Sequence, residues 1–148
     1  VFNFWYDGKS IILFLYGASN ILGNVIAGKL LTTIPKKAIF LLPFSLIIIY
    51  VAMFGIGSFL IPMMMISVLW GILAGISANI TQYVIISVAP DAPDLSNGIF
   101  LSAVNSGTTI GTFFGGIFIA SLGSNFVIFI GILACMINIY LVYFHVFI

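Results

Sequence analysis

The stretch Ser96–Ser121, SNGIFLSAVNSGTTIGTFFGGIFIAS, carries no charge and is long enough to cross a bilayer as one helix. Wound at about 100° per residue, it shows two different faces. One gathers Gly107, Gly111 and Gly115 at four-residue spacing, which lets helix backbones approach closely where lipid supplies no hydrophobic drive. The other, roughly 140° away, collects Gly98, Ser102, Asn105, Thr109 and Thr112. Hydrocarbon cannot satisfy amides and hydroxyls, so the polar face needs protein or water beside it.

The rest of the chain belongs to the same solvent. Hydrophobic residues make up 63%, charged residues 5%, and mean hydropathy is +1.35. Soluble domains carry about a quarter charged residues, so the fold class is all-α, a polytopic membrane helix bundle. A net charge of +1 and the lack of any basic patch interleaved with aromatics exclude a nucleic-acid partner. Cys135 is the single cysteine; it has no internal disulfide partner and reads as a small core residue. The opening VFNFWYDGK has no initiator Met and no signal-peptide pattern, and reads as a fragment beginning outside a helix.

In chain order, Val1–Lys9 reads as an interfacial loop with Trp5 and Tyr6 at headgroup level beside Asp7. Five spans are expected at about 10–31, 38–55, 59–88, 96–121 and 125–147. In the first, Gly17, Asn20, Asn24 and Ala27 share one side, with Tyr16 beside them. Thr32–Lys37 is a tight connection stopped by Pro35. Lys29, Lys36 and Lys37 concentrate there, which marks that end as a cytoplasmic loop. The second span is almost wholly aliphatic, with Pro43 as an expected kink. A turn at Gly55, Gly57 and Ser58 precedes a third span whose Ser67, Gly71, Gly75, Ala78, Asn79 and Gln82 lie on one face. Ala89–Leu95 is a loop that offers Asp94 or Ser96 as a cap for the fourth span. The fifth span bears only Asn138 and a terminal His145 as polar features. Five spans place the amino end outside and the carboxyl end in the cytoplasm.

Two stretches resemble the major facilitator superfamily, in particular the carboxyl half of bacterial drug or sugar efflux antiporters of the arabinose type. Gly23-Asn24-Val25-Ile26-Ala27-Gly28-Lys29-Leu30 followed by Pro35-Lys36-Lys37 looks like the second copy of that superfamily's loop motif, without the acid the full motif places near Thr32. The run APDAPDLSNGIFLSAVNSGTTIGTFFGGIFIASLG, with Asn105, Gly107, Gly111, Gly115 and Gly116, looks like helices ten to eleven of the same group. The resemblance implies that residues 1–148 are a partial carboxyl-terminal domain, helices eight to twelve of a twelve-helix transporter. It further implies proton-driven export by alternating access, a small-molecule substrate such as a sugar or drug, a missing amino-terminal half as partner, and the bacterial plasma membrane as location.

Each polar feature has two readings. Asn20, Asn24, Asn79, Gln82, Ser102, Asn105 and Thr109 are candidate substrate-cavity residues; the alternative is hydrogen-bonded glue between helices, worth about 0.6 kcal/mol each. Gly107, Gly111 and Gly115 are expected to serve helix packing. No Asp, Glu, Lys, Arg or His stands in the middle of a span, so a titrating acid would have to lie elsewhere in a proton-coupled protein. No catalytic arrangement, metal-ligand spacing or cofactor motif is present, so the chain is not expected to be an enzyme, and no cofactor is expected. The rival function is a non-transporting membrane scaffold or assembly protein, in which the polar stripes point at different neighbours.

Overall fold

A computed structural model describes the backbone of residues 2–147 and the side chains of residues 8–124 and 126–144. Five long helices follow one another: α1 (Phe2–Thr33), α2 (Pro35–Ile56), α3 (Leu60–Val88), α4 (Pro93–Leu122) and α5 (Val127–Phe147), with a single 3-10 turn at Ser124–Phe126 before the last. All five are long and apolar enough to cross a membrane, and the described residues contain no strand. The chain is an all-α membrane helix bundle.

The helix ends follow from local chemistry. At the close of α1, the Thr33 hydroxyl donates to the Lys29 carbonyl at 2.7 Å, and Thr32 to the carbonyls of Gly28 and Lys29 at 3.1 and 2.9 Å. These are back-bonds to carbonyls of the preceding turn, a local side-chain alternative that Ser and Thr offer the helix backbone. Only Ile34 then separates α1 from α2, because Pro35 at the first helical position lacks the N–H that would be orphaned there. The expected connection at Thr32–Lys37 is therefore shorter, and Lys36 and Lys37 lie in the first turn of α2. Glycine is required at Gly123, whose φ of 97° ends α4.

Three other expectations are corrected. The loop at Val1–Lys9 is helical from Phe2 onward, since a lone Gly8 does not stop a helix and lies against the Leu60 side chain of α3. Gly55 belongs to α2, so the turn begins at Gly57. Neither Asp94 nor Ser96 caps α4: its N-cap is Ala92, without a side-chain bond, and the fully buried Ser96 instead donates to the Ala89 carbonyl at 3.2 Å. That bond ties the end of α3 to the start of α4. The interfacial placements of Trp5, Tyr6, Asp7 and His145 lie outside the described side chains.

The central construction is the pair α1 and α3, which run parallel and in contact along most of their length. Gly8 faces Leu60, the Tyr16 and Trp70 rings meet tilted with centroids 4.7 Å apart, and Asn24 meets Asn79. Ala27, buried completely, joins Ala38 of α2 and Ile76 and Ile80 of α3 in a small core at the basic end of the bundle. On the other side, α5 runs antiparallel to α2: Gly131 lies under the Tyr50 ring, and Phe54 meets Phe129 edge-on at 5.3 Å. α4 packs on α3 beside their connection, and on the 3-10 turn and α5 at its other end. At about 1.5 Å per residue α3 is about 43 Å long, more than a hydrocarbon core of about 30 Å, so it tilts or overhangs.

Candidate functional site

The α1–α3 seam is built from residues too small to keep backbones apart. On α1, Ser19, Gly23 and Ala27 recur every four residues and are buried; on α3, Ser67, Gly71 and Gly75 do the same. A Cβ added at Gly71 would collide with the Tyr16 carbonyl oxygen and the Ser19 hydroxyl, one at Gly75 with the Asn20 carbonyl oxygen, and one at Gly23 with the Ile72 carbonyl oxygen. These obstacles are mostly backbone and cannot rotate away. Hydroxyls within the seam are satisfied inside their own helices: Ser19 donates to the Leu15 carbonyl at 2.6 Å and Ser67 to that of Met63 at 2.7 Å. The seam is close packing of the small-residue kind.

Where the seam opens, amides meet. Asn79 Nδ2 donates to Asn24 Oδ1 at 2.8 Å, and to the Gly75 carbonyl at the same distance. One turn on, Gln82 Nε2 reaches Asn97 Oδ1 of α4 at 3.4 Å. Asn24, Asn79 and Gln82 thus form a polar edge, joined by Asn97. Asn20 contributes its backbone oxygen to the contact with Gly75.

The other three candidates stand apart from this edge. Residues 101–110 of α4 are all exposed, Ser102, Asn105 and Thr109 among them. The Thr109 hydroxyl donates to the Asn105 carbonyl at 2.9 Å, and Thr112 repeats the device one turn later. Among the described residues, the Ser102 hydroxyl and the Asn105 amide have no hydrogen-bond partner. Ser102 lies in an open depression with Gly98 and Ser106, formed by α4 alone. The glycine ladder is similarly open: a Cβ at Gly107 or Gly111 would meet nothing within 4 Å, and only at Gly115 would it meet a neighbour, Val127, at 3.3 Å.

None of the seven candidates lines the crevice of about 330 Å³ between α2, α3 and α5, whose polar points are Tyr50, Ser77, Thr81, Cys135 and Asn138. Tyr50 and the α1–α3 small-residue ladder were not among the site residues read from the sequence. The ladder had a signal: small residues at four-residue spacing on both helices. Among the described residues no group of His, Cys, Asp or Glu could hold a metal ion.

Fold and polar edge together define a multi-pass membrane protein with amides between its helices. Among known proteins, the chain is similar to the probable sugar efflux transporter of Helicobacter pylori strain J99, with 27% identity over 125 residues, covering 84% of this chain and 32% of that relative. The corresponding protein of strain G27 matches equally, and that of Helicobacter acinonychis strain Sheeba is 26% identical over 122 residues, covering 82% of this chain and 31% of its own length. The chain therefore spans about a third of the length of the curated relatives it matches. No family model matches it, and no solved structure gives a significant match.

Proposed function

We propose that this chain is the carboxyl-terminal part of a major-facilitator efflux antiporter that exports a small molecule such as a sugar from a bacterial cell by proton-driven alternating access. The observation that carries the reading is the unpartnered polar face of α4. Ser102 and Asn105, with Thr109 one turn on, are exposed along a span whose hydroxyl and amide groups are costly in hydrocarbon. Such a face suits a water-filled cavity shared with helices beyond this chain. Asn20, Asn24, Asn79 and Gln82 would form a second wall of that cavity, with Asn24 and Asn79 holding each other in place. The open flank at Gly107 and Gly111 is suited to contact with a moving helix. Similarity to proteins described as sugar efflux transporters supports the substrate class.

The Asn24–Asn79 bond also favours a second reading, a scaffold whose amides only hold helices together. Efflux of a labelled sugar and drug panel from vesicles containing the full-length protein, with and without a pH gradient, separates the two. Gradient-dependent efflux that falls in Asn105→Leu at unchanged membrane abundance supports the transporter. No efflux of any compound leaves the scaffold.

A further inference from the structure

We infer that the crevice between α2, α3 and α5 is a site for an anionic phospholipid, with one acyl chain in the crevice and the headgroup at Lys36. Along α2, Ile39, Pro43, Leu46 and Tyr50 all line the crevice and recur at alternating spacings of four, three and four residues, so they form one helix face. Lys36 precedes Ile39 by three residues and continues that face to the end of the helix. It is exposed, and a helical side chain leans toward its helix's amino end, which here is the membrane surface.

The dimensions fit one leaflet. From Ile39 to Tyr50 the face runs about 16 Å at the helical rise, half of a hydrocarbon core of about 30 Å. The deep end is closed by the Tyr50 ring, which lies 3.0 Å from where a Gly131 Cβ would be. Small residues on α5, Gly131 and Ala134, leave the space open. Its walls are mostly aliphatic and contain no charge, while the Thr81 hydroxyl donates to the Ser77 carbonyl at 2.9 Å rather than into the opening. A sugar would find few convergent donors there, whereas an acyl chain needs none. Asp91 and Asp94 lie at the same end of the bundle, but in the α3–α4 connection and the first turn of α4, which does not line the crevice. Lys36, one turn before Ile39 on the crevice-lining face of α2, is the cation nearest that face in the helix.

The test is native mass spectrometry of the full-length protein after equilibration with an equal mixture of phosphatidylglycerol and phosphatidylcholine. One lysine at a headgroup corresponds to a preference of about fivefold for the anionic lipid. Lys36→Gln should abolish that preference and Lys29→Gln, on α1, should leave it. Ala134→Leu, which fills the crevice, should lower retention of phosphatidylglycerol at least about threefold. Equal retention of the two lipids by the unaltered protein overturns the inference, and so does an unchanged preference in Lys36→Gln, an exposed position whose substitution leaves the core intact.

Discussion

Asn79 donates from one amide nitrogen to two acceptors 2.8 Å away, the Oδ1 of Asn24 on the facing helix and the Gly75 carbonyl one turn back on its own. The second bond fixes the rotamer that makes the first, so the cross-helix contact is set by the backbone of α3. It lies at the rim of the seam where Gly75 brings the two backbones together. A double-mutant cycle on Asn24→Ala and Asn79→Ala should return a coupling of about 0.6 kcal/mol, the usual size for such bonds between membrane helices. Reversible unfolding in detergent measures it. A coupling of zero would mean that the two amides are held independently.

The two glycine ladders should respond in opposite ways to added methyl groups. Gly75→Ala puts a Cβ into the Asn20 carbonyl oxygen, and only separation of α1 from α3 relieves it. The expected loss is about 1–3 kcal/mol, as for overpacked cores, read as a lower midpoint of thermal unfolding of this chain in detergent. Gly107→Ala meets nothing within 4 Å and should shift stability by less than about 0.5 kcal/mol. Equal losses at both positions would show that α4 is packed in solution on a face the bundle leaves open.

That contrast also shows what the sequence could disclose. Long uncharged runs punctuated by Pro35, Gly57 and Pro93 located the helices, because membrane length and helix-breaking chemistry are local properties. The polar edge was legible in part: Asn24, Asn79 and Gln82 were singled out by helical periodicity, and two of them meet. Four-residue spacing of small residues does not tell which neighbour will occupy it. Ser19, Gly23 and Ala27 follow the same rule as Gly107, Gly111 and Gly115, yet the first set is buried throughout, whereas in the second only Gly115 has a neighbour, Val127 of α5. The choice is made by parallel pairing of α1 with α3, a relation across about fifty residues that no local pattern encodes. Val1–Lys9 misled for the converse reason: Asp7-Gly8-Lys9 has the composition of a loop, but α3 offers Leu60 for Gly8 to pack on.

On the proposed transporter reading, efflux should depend on the α4 face more than on the α1–α3 amides. The Asn105 side-chain amide has no partner among the described residues, so Asn105→Leu removes a group free to bond substrate or cavity water, whereas the side chains of Asn24 and Asn79 already bond each other. In the full-length protein Asn105→Leu should reduce efflux about threefold to tenfold, the worth of one neutral hydrogen bond, at unchanged abundance. Asn24→Leu should lower abundance and efflux together, because it removes the cross-helix acceptor of the Asn79 amide and leaves that amide only its bond to the Gly75 carbonyl. Full efflux in Asn105→Leu would remove the α4 face from the cavity.

The position of the cations gives an expected orientation. Lys29, Lys36 and Lys37 sit at the α1–α2 junction, and the α3–α4 connection with Asp91 is at the same end because α1 and α3 run parallel. Ser58, between α2 and α3, and Ser124, after α4, are at the opposite end, and both are exposed. Basic residues in short loops are retained in the cytoplasm while acids contribute little, so the acidic connection should follow the lysines inward. With Cys135 replaced by Ala in a cysteine-free background, a membrane-impermeant thiol reagent added to intact cells should modify Ser58→Cys and Ser124→Cys. It should leave Lys37→Cys and Asp91→Cys untouched until the membrane is opened. The reverse pattern would place the lysines outside, and modification of one residue from each pair would mean that α1 and α3 do not cross in the same direction.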